Sequence, residues 1–379
     1  MSEQVRPDVV AERPVPGVPR GYEFPAAERA RLSNGLAVVV APMAGRPIVS
    51  ASIVVRRGAL DEPADQGGVS VLAGRALTEG TAQRDAIGLV EAAERLGASL
   101  HADVGWDAGS VSVEVAASRL APALDLLAEV AAEPSFPAAE VERLRAERLN
   151  DILQARANPR RRADEAFASA VFDAASPYSR PAAGLPDTVE RLDRDRTAAA
   201  WAAGFDPGAM TLIVAGDVDP SEVLRMAEER LGGWTPAPSA AAAEPPAIRP
   251  ASTDRRVLLV HRPGSVQTEI RIGHVGLPRS NPDFHAVAVM SSILGGLFNS
   301  RLNMKLREEK GYTYGAAASF DLRRRPGPFS ARAAVNTDAT VPAVVDTLAE
   351  LERMREASPS AGELRAARDY LVGVFPLRF

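Results

Sequence analysis

Apolar and polar positions alternate along this chain in two distinct rhythms, and the rhythms change at clear turn signals. Period-two runs predict half-buried strands. The cleanest is SVSVEVAA, where Val111, Val113 and Val115 interleave with Ser112 and Glu114. ASLHADVGW, MTLIVAGDV (from Met210), RRVLLVHR (255–262), QTEIRIGHVGL (from Gln267), YTYGAAASF (from Tyr312) and GPFSARAAVN also read as strands. LAVVVAPM follows the Asn34-Gly35 turn signal, IVSASIVVRRG follows closely, and together they predict a β-hairpin. Helical periodicity fits Val69 to Leu77, Ala86 to Leu96, Leu120 to Ala132, and a long helix from Pro137 to about Ala157, closed by Asn158-Pro159. SEVLRMAEERLGG, VPAVVDTLAELERMRE and SAGELRAARDYLVGVF are amphipathic helices.

The order recurs. Thr235 to Ser252 is rich in Pro and Ala without apolar periodicity, and reads as a semi-rigid interdomain linker. On both sides of it the succession is hairpin, helix, strand pair, helix, long helix, which is an internal duplication of pattern rather than of letters. The predicted fold is α+β: two similar domains, each an antiparallel-rich sheet with helices packed on one face. The predicted organisation is an extended arm over 1–25, a first domain over 26–234, the linker over 235–252 and a second domain over 253–379. The second copy stops at Phe379 within a helix, so this domain reads as C-terminally incomplete.

Composition narrows the function. The chain has 379 residues, of which 46% are hydrophobic and 25% charged, enough for two ordinary globular cores. The net charge of −5 argues against a nucleic-acid partner. There is no cysteine, which removes disulfides, thiol catalysis and cysteine metal sites. No stretch is long and apolar enough for a membrane span, and the polar, proline-rich start lacks the apolar core of a secretory signal, so a cytoplasmic location is expected. His101, His261, His274 and His285 share no short ligand spacing with one another. Neither a G-x-S-x-G motif nor a phosphate loop is present.

One stretch, SRLNMKLREEKGYTY (Ser300 to Tyr314), places a guanidinium and two phenols at a helix-to-strand corner. Gly311 is a natural helix stop. Arg307 falls in the last turn, and Tyr312 and Tyr314 share a strand face. Such donors suit a carbonyl or an oxyanion. On local grounds Arg307 can equally complement the helix dipole while the tyrosines pack.

Taken together, these segments resemble the pitrilysin/insulinase family of zinc peptidases, of the two-domain type that includes mitochondrial processing peptidase. LSNGL looks like the family's opening, and GVSVLAGRALTEGT (Gly68 to Thr81) lies over its zinc-binding block. SPYSRPAAGLPDTVERL and MTLIVAGDV are similar to later first-domain segments, and SRLNMKLREEKGYTYG to the second-domain signature. The resemblance implies an inverted H-x-x-E-H helix with two zinc-binding histidines and a water-activating glutamate. Here the ligand positions are Val71 and Arg75 and the base position is Gly74. A hydrocarbon and a permanent cation cannot bind zinc, and glycine cannot take a proton. The family's third ligand, a glutamate, falls on Asp151, which is expected to pair with Arg75. The family's second-domain Arg and Tyr match Arg307 and Tyr314 in spacing; Tyr312 has no counterpart and is expected to pack.

The resemblance therefore implies half an active site. The expected protein is a non-catalytic subunit with no cofactor of its own. Arg307 and Tyr314 would serve a zinc-bearing paralogous subunit that cleaves peptides or unfolded polypeptides. The alternative is a structural or peptide-binding pseudopeptidase, core-protein-like or homodimeric, with no role in proteolysis. Gly295-Gly296-Leu297, just before the signature, reads either as a flexible lip or as a simple helix kink.

Overall fold

The computed structural model describes residues 21–204, 206–235 and 247–378. Most of the predicted arm (1–20) and of the predicted linker (236–246) lies outside the described residues.

The strands are β1 (Glu28–Arg31), β2 (Ala37–Pro42), β3 (Ile48–Val55), β4 (Ser99–Val104), β5 (Gly109–Ala116), β6 (Met210–Gly216), β7 (Gln267–Val275), β8 (Thr313–Phe320) and β9 (Pro328–Asn336). The helices of the first half are α1 (Val69–Ala76), α2 (Ala86–Leu96), α3 (Leu120–Ala132), α4 (Ala138–Ala157), α5 (Pro159–Val171), α6 (Pro186–Val189), α7 (Arg194–Gly204) and α8 (Pro220–Leu231). The second half contributes α9 (Phe284–Ser291), α10 (Arg301–Asn303), α11 (Thr340–Glu356) and α12 (Ala361–Val374). Nearly every predicted element is present, because each carries its own period and its own stop. Asp85 and Asp219, for example, cap α2 and α8 by accepting from the Gly88 and Glu222 amides.

Two sheets organise the molecule. The first has the order β1-β2-β6-β3-β5-β4, and the second β7-β9-β8. All pairs are antiparallel except β2 with β6. The apolar sides of β2, β3, β5 and β6 form the first core with α1, α3 and α8. Ile270, Leu294, Leu302, Leu306, Phe329 and Val335 anchor the second.

Two sequence expectations fail here. β2 and β3 do not form a hairpin: β6 lies between them, parallel to β2 and antiparallel to β3. The connection 43–47 easily spans the ~10 Å of two strand spacings. Local turn signals show where a strand ends, not which strand joins its edge. The predicted strand RRVLLVHR is not a strand either. It takes no regular structure, and Val257 and Leu259 are 98% and 82% exposed.

The two halves meet through α5 and the β8–β9 loop. Phe167 of α5 lies against Gly273 of β7, and Asp164 accepts from Arg271 at 2.6 Å. In the loop, Arg323 lies over the rings of Trp106 (4.7 Å) and Tyr178 (4.4 Å). The next residue, Arg324, donates its amide to Asp107 (2.8 Å) and its guanidinium to Asp61 and to the Arg56 carbonyl. A small apolar cluster of Leu60, Phe172, Tyr178, Trp106, Ile248 and Val275 lies at the same junction.

Candidate functional site

α1 carries the block that the sequence aligns with a zinc site, and its side chains do other work. Val71 is half-buried. Gly74 is buried, and a Cβ there would sit 2.5 Å from Val104 Cγ2 on β4. The position of the catalytic base is therefore a close contact between helix and strand, with no room for a carboxylate while Val104 stays in place.

Arg75 does not pair with Asp151, contrary to the sequence expectation. Its guanidinium donates to Glu147, one turn earlier on α4, at 2.8 Å. No hydrogen bond or ion pair joins Arg75 to Asp151 among the described residues, and Asp151 is exposed. Side chains on a helix recur every turn, so Glu147 and Asp151 lie on one face and spacing alone does not separate them. Glu147 also accepts from Arg143 at 2.6 Å, and Arg143 reaches Glu79 at 2.6 Å. Those guanidinium hydrogen bonds, Arg143 first, hold the Glu147 carboxyl below the usual carboxylate range. Arg148, beside them, donates to the carbonyls of Ala183 and Gly184. Burial lowers the proton affinity of Arg148. The result is a ladder of salt bridges. Among the described residues no three His, Cys, Asp or Glu side chains are grouped to hold a metal ion. The donor set at Val71, Gly74 and Arg75 does not fit zinc.

Sequence reasoning missed what holds α1 in place. Glu62, with its side chain 1% exposed, accepts from the amides of Gly68 (2.9 Å) and Ser70 (2.7 Å) at the helix start. It also accepts from Arg180 at 2.7 Å. Burial pushes the Glu62 carboxyl up, against the pull of Arg180 and the two amides. Arg180 passes so close that a Cβ on Gly67 would meet its Nε at 2.8 Å. The available signals were an acidic residue just ahead of a glycine pair and an Arg within SPYSRP, and nothing local connects them.

The second-half stretch keeps its corner. Gly311 has φ 64° and ends the helix as expected. The preceding segment is π-helical over Met304–Glu309, and so is Ser292–Gly296. A Cβ on Gly295 would meet the Ala318 amide nitrogen at 2.1 Å, so this glycine is set by its contact with β8. Asn303, also missed by sequence reasoning, ties the corner together. It accepts from the Ala316 amide (2.8 Å) and donates to the Leu297 carbonyl (3.1 Å). Arg307 lies over the Phe298 ring at 4.4 Å and is 3.5 Å from Glu308. Tyr312 packs against the second core, as expected. Tyr314 lies where the β8–β9 register shifts, and it is 93% exposed. No hydrogen bond joins Arg307 and Tyr314. Tyr314 also lies at the opposite end of β8 from the loop that docks on Trp106, about 20 Å away along the strand.

Two α+β layers, with a donor set on α1 that does not fit zinc, define the class: a peptidase-like scaffold. The chain belongs to the insulinase (M16) peptidase family. Residues 38–182 match the model for insulinase, peptidase family M16, and residues 191–371 match the one for the peptidase M16 inactive domain. An uncharacterized zinc protease of Mycobacterium leprae is 27% identical over 81% of this chain and 68% of its own length. A non-peptidase homolog of Helicobacter pylori is 22% identical over 83% of this chain and 72% of its own. The crystal structure of a peptidase M16 inactive domain from Pseudomonas fluorescens superposes with a TM-score of 0.83 at 24% identity, covering 92% of this chain and 84% of that one. A protease from Helicobacter pylori gives 0.85 at 18% identity, covering 93% and 85%. The two structural likenesses speak to fold. The inactive-domain match and the vacated block support a non-catalytic M16-like protein. Among the described residues no helix is long and apolar enough to cross a membrane.

Proposed function

We propose that this protein is the non-catalytic subunit of a two-chain zinc endopeptidase, and that Arg307 and Tyr314 act in the active site of a partner carrying an intact H-x-x-E-H. The observation that carries this reading is Tyr314. A phenol 93% exposed, seven residues after a half-exposed Arg307 that stacks on an exposed Phe298, contributes almost nothing to its own chain's packing. Exposed aromatic and guanidinium groups are the usual anchors of a binding surface. Their chemistry suits an extended peptide: two kinds of donor able to hold a scissile carbonyl and the oxyanion formed from it. The hydrolytic zinc and its base would belong to the partner, and the substrates would be peptides or unfolded polypeptides.

The test is reconstitution. Mixed with a family member bearing H-x-x-E-H, this chain should raise cleavage of an unstructured peptide above the partner's own rate. Arg307→Ala or Tyr314→Phe should then lower kcat/KM by about 10²-fold, the scale for losing one oxyanion donor. No gain over the partner alone defeats the subunit reading. A gain that both variants leave intact defeats the role given to the two residues. The second reading, a peptide-binding pseudopeptidase without a proteolytic partner, draws support from the similarity to a non-peptidase homolog. It predicts peptide binding by this chain with no effect on any partner's rate.

A further inference from the structure

Val71 and Arg75 lie one turn apart on α1 and share a face. With Leu72, with Arg148 of α4, and with Val189 and Leu192, they border a narrow slot. Its inner end is apolar, because Leu72, Val189 and Leu192 are all buried. The free space is about 10 Å³, room for one group the size of a water or a methyl. Two guanidinium groups, those of Arg75 and Arg148, therefore border one small hydrocarbon slot.

The two arginines differ in what they hold. Arg75 donates through Nη2 to Glu147, and Glu147 is shared with Arg143. Arg148 has no carboxylate partner among the described residues. It donates Nε to the Ala183 carbonyl (2.8 Å) and Nη2 to the Gly184 carbonyl (3.3 Å), both neutral. Asp151 and Glu165 are near enough to favour its charge without pairing with it, and Arg161 and Arg75 oppose it.

The two carbonyls also fix the plane of the Arg148 guanidinium. The loop that bears them is clamped onto the start of α1, where a Cβ on Gly68 would lie 2.8 Å from the Ala183 oxygen. Nη1 of Arg148 is left without an acceptor among the described residues, and so are Nε and Nη1 of Arg75. A half-buried cation bonded only to neutral acceptors lacks a counter-charge, which a bound anion supplies.

We infer that this slot binds a carboxylate whose adjoining carbon carries a methyl-sized group, as at the C-terminus of a peptide ending in alanine. The carboxylate would accept from the free guanidinium nitrogens of Arg75 and Arg148, a planar pairing that arginine suits. The methyl group would enter the apolar end beside Leu72 and Val189. A larger side chain exceeds the space. A phosphate, doubly charged, would meet a hydrocarbon floor where it needs further donors. The inference rests neither on a zinc-bearing partner nor on Arg307 and Tyr314.

The probe is a short, unstructured, fluorescently labelled peptide ending in a free alanine, added to this chain alone and followed by anisotropy. Saturable one-to-one binding is expected. Amidating the terminal carboxylate, or replacing the last alanine with phenylalanine, should weaken it at least about tenfold. Arg148→Met should do the same, but it also removes the support of the 183–184 loop. The deciding variant is therefore Glu147→Gln, which frees Arg75, leaves both carbonyl bonds of Arg148 in place and should tighten binding. N-acetylalanine, which presents the same end group without a chain, should displace the peptide. Equal affinity of the two assigns the slot to free small acids, and tighter binding of the peptide assigns it to chain ends. The inference is overturned by absent or non-saturable binding, by equal binding of the amidated peptide, or by binding that Glu147→Gln leaves unchanged or weakens.

Discussion

At the residue scale, the α1 segment that resembles a zinc-binding block makes packing and ion-pair contacts instead. Arg75 and Glu147 have side chains 39% and 44% exposed, so water screens their pair and it is not what holds α1. Glu62 and Arg180 are different. Both are nearly dry, and Glu62 satisfies two helix-terminal amides as well as the guanidinium. Glu62→Gln keeps the shape but leaves Arg180 buried without its counter-charge, and it should cost about 3–5 kcal/mol in urea unfolding. Replacing both partners with apolar residues, Glu62→Leu with Arg180→Met, should cost less than that single change. A single change below about 0.5 kcal/mol would show that the cap does not hold the helix. Arg307 and Tyr314 could be singled out in the sequence as candidates because they lie close together in a recognisable stretch. Glu62 and Arg180 were not, because over a hundred residues separate them and only folding brings them within 2.7 Å.

At the element scale, the two halves show how far periodicity reaches. α1, α2, α3 and α4 and the strands β4, β5, β7, β8 and β9 fall where the patterns place them, because burial of one face fixes each period. Pairing is another matter, as β6 between β2 and β3 and the unpaired RRVLLVHR show. Gly74 belongs to this scale as well. Its missing side chain lets α1 press on Val104 of β4, so Gly74→Ala should cost about 1–3 kcal/mol, and Val104→Ala in the same chain should recover part of it. Thermal unfolding of the three proteins checks this; equal stability of Gly74→Ala and the parent would refute the close contact. The same contact means that restoring H-x-x-E-H by Val71→His, Gly74→Glu and Arg75→His alone should not produce zinc binding.

At the scale of the whole molecule, the halves are joined by α5, an apolar cluster and a few groups in one loop. Arg323 lies over Trp106 and Tyr178, while Arg324 engages Asp107 and Asp61. Removing both guanidinium groups, Arg323→Ala with Arg324→Ala, should loosen the junction without unfolding either core. Small-angle scattering should show a larger radius of gyration, and proteolysis should accelerate near 321–327. An unchanged scattering profile would place the cohesion in α5 and the apolar cluster alone. The far end of β8 carries Tyr314, 93% exposed.

The sequence by itself determined most of the elements, the repeated pattern, the family and the absence of H-x-x-E-H. All of these depend on residue identity and on periods of two to four residues, which survive without knowing the fold. The tertiary structure alone decided which carboxylate meets Arg75, what caps α1, why residue 74 is glycine, and which strand sits between β2 and β3. Those depend on contacts between segments distant in sequence, where several partners satisfy the local pattern equally and only packing chooses among them.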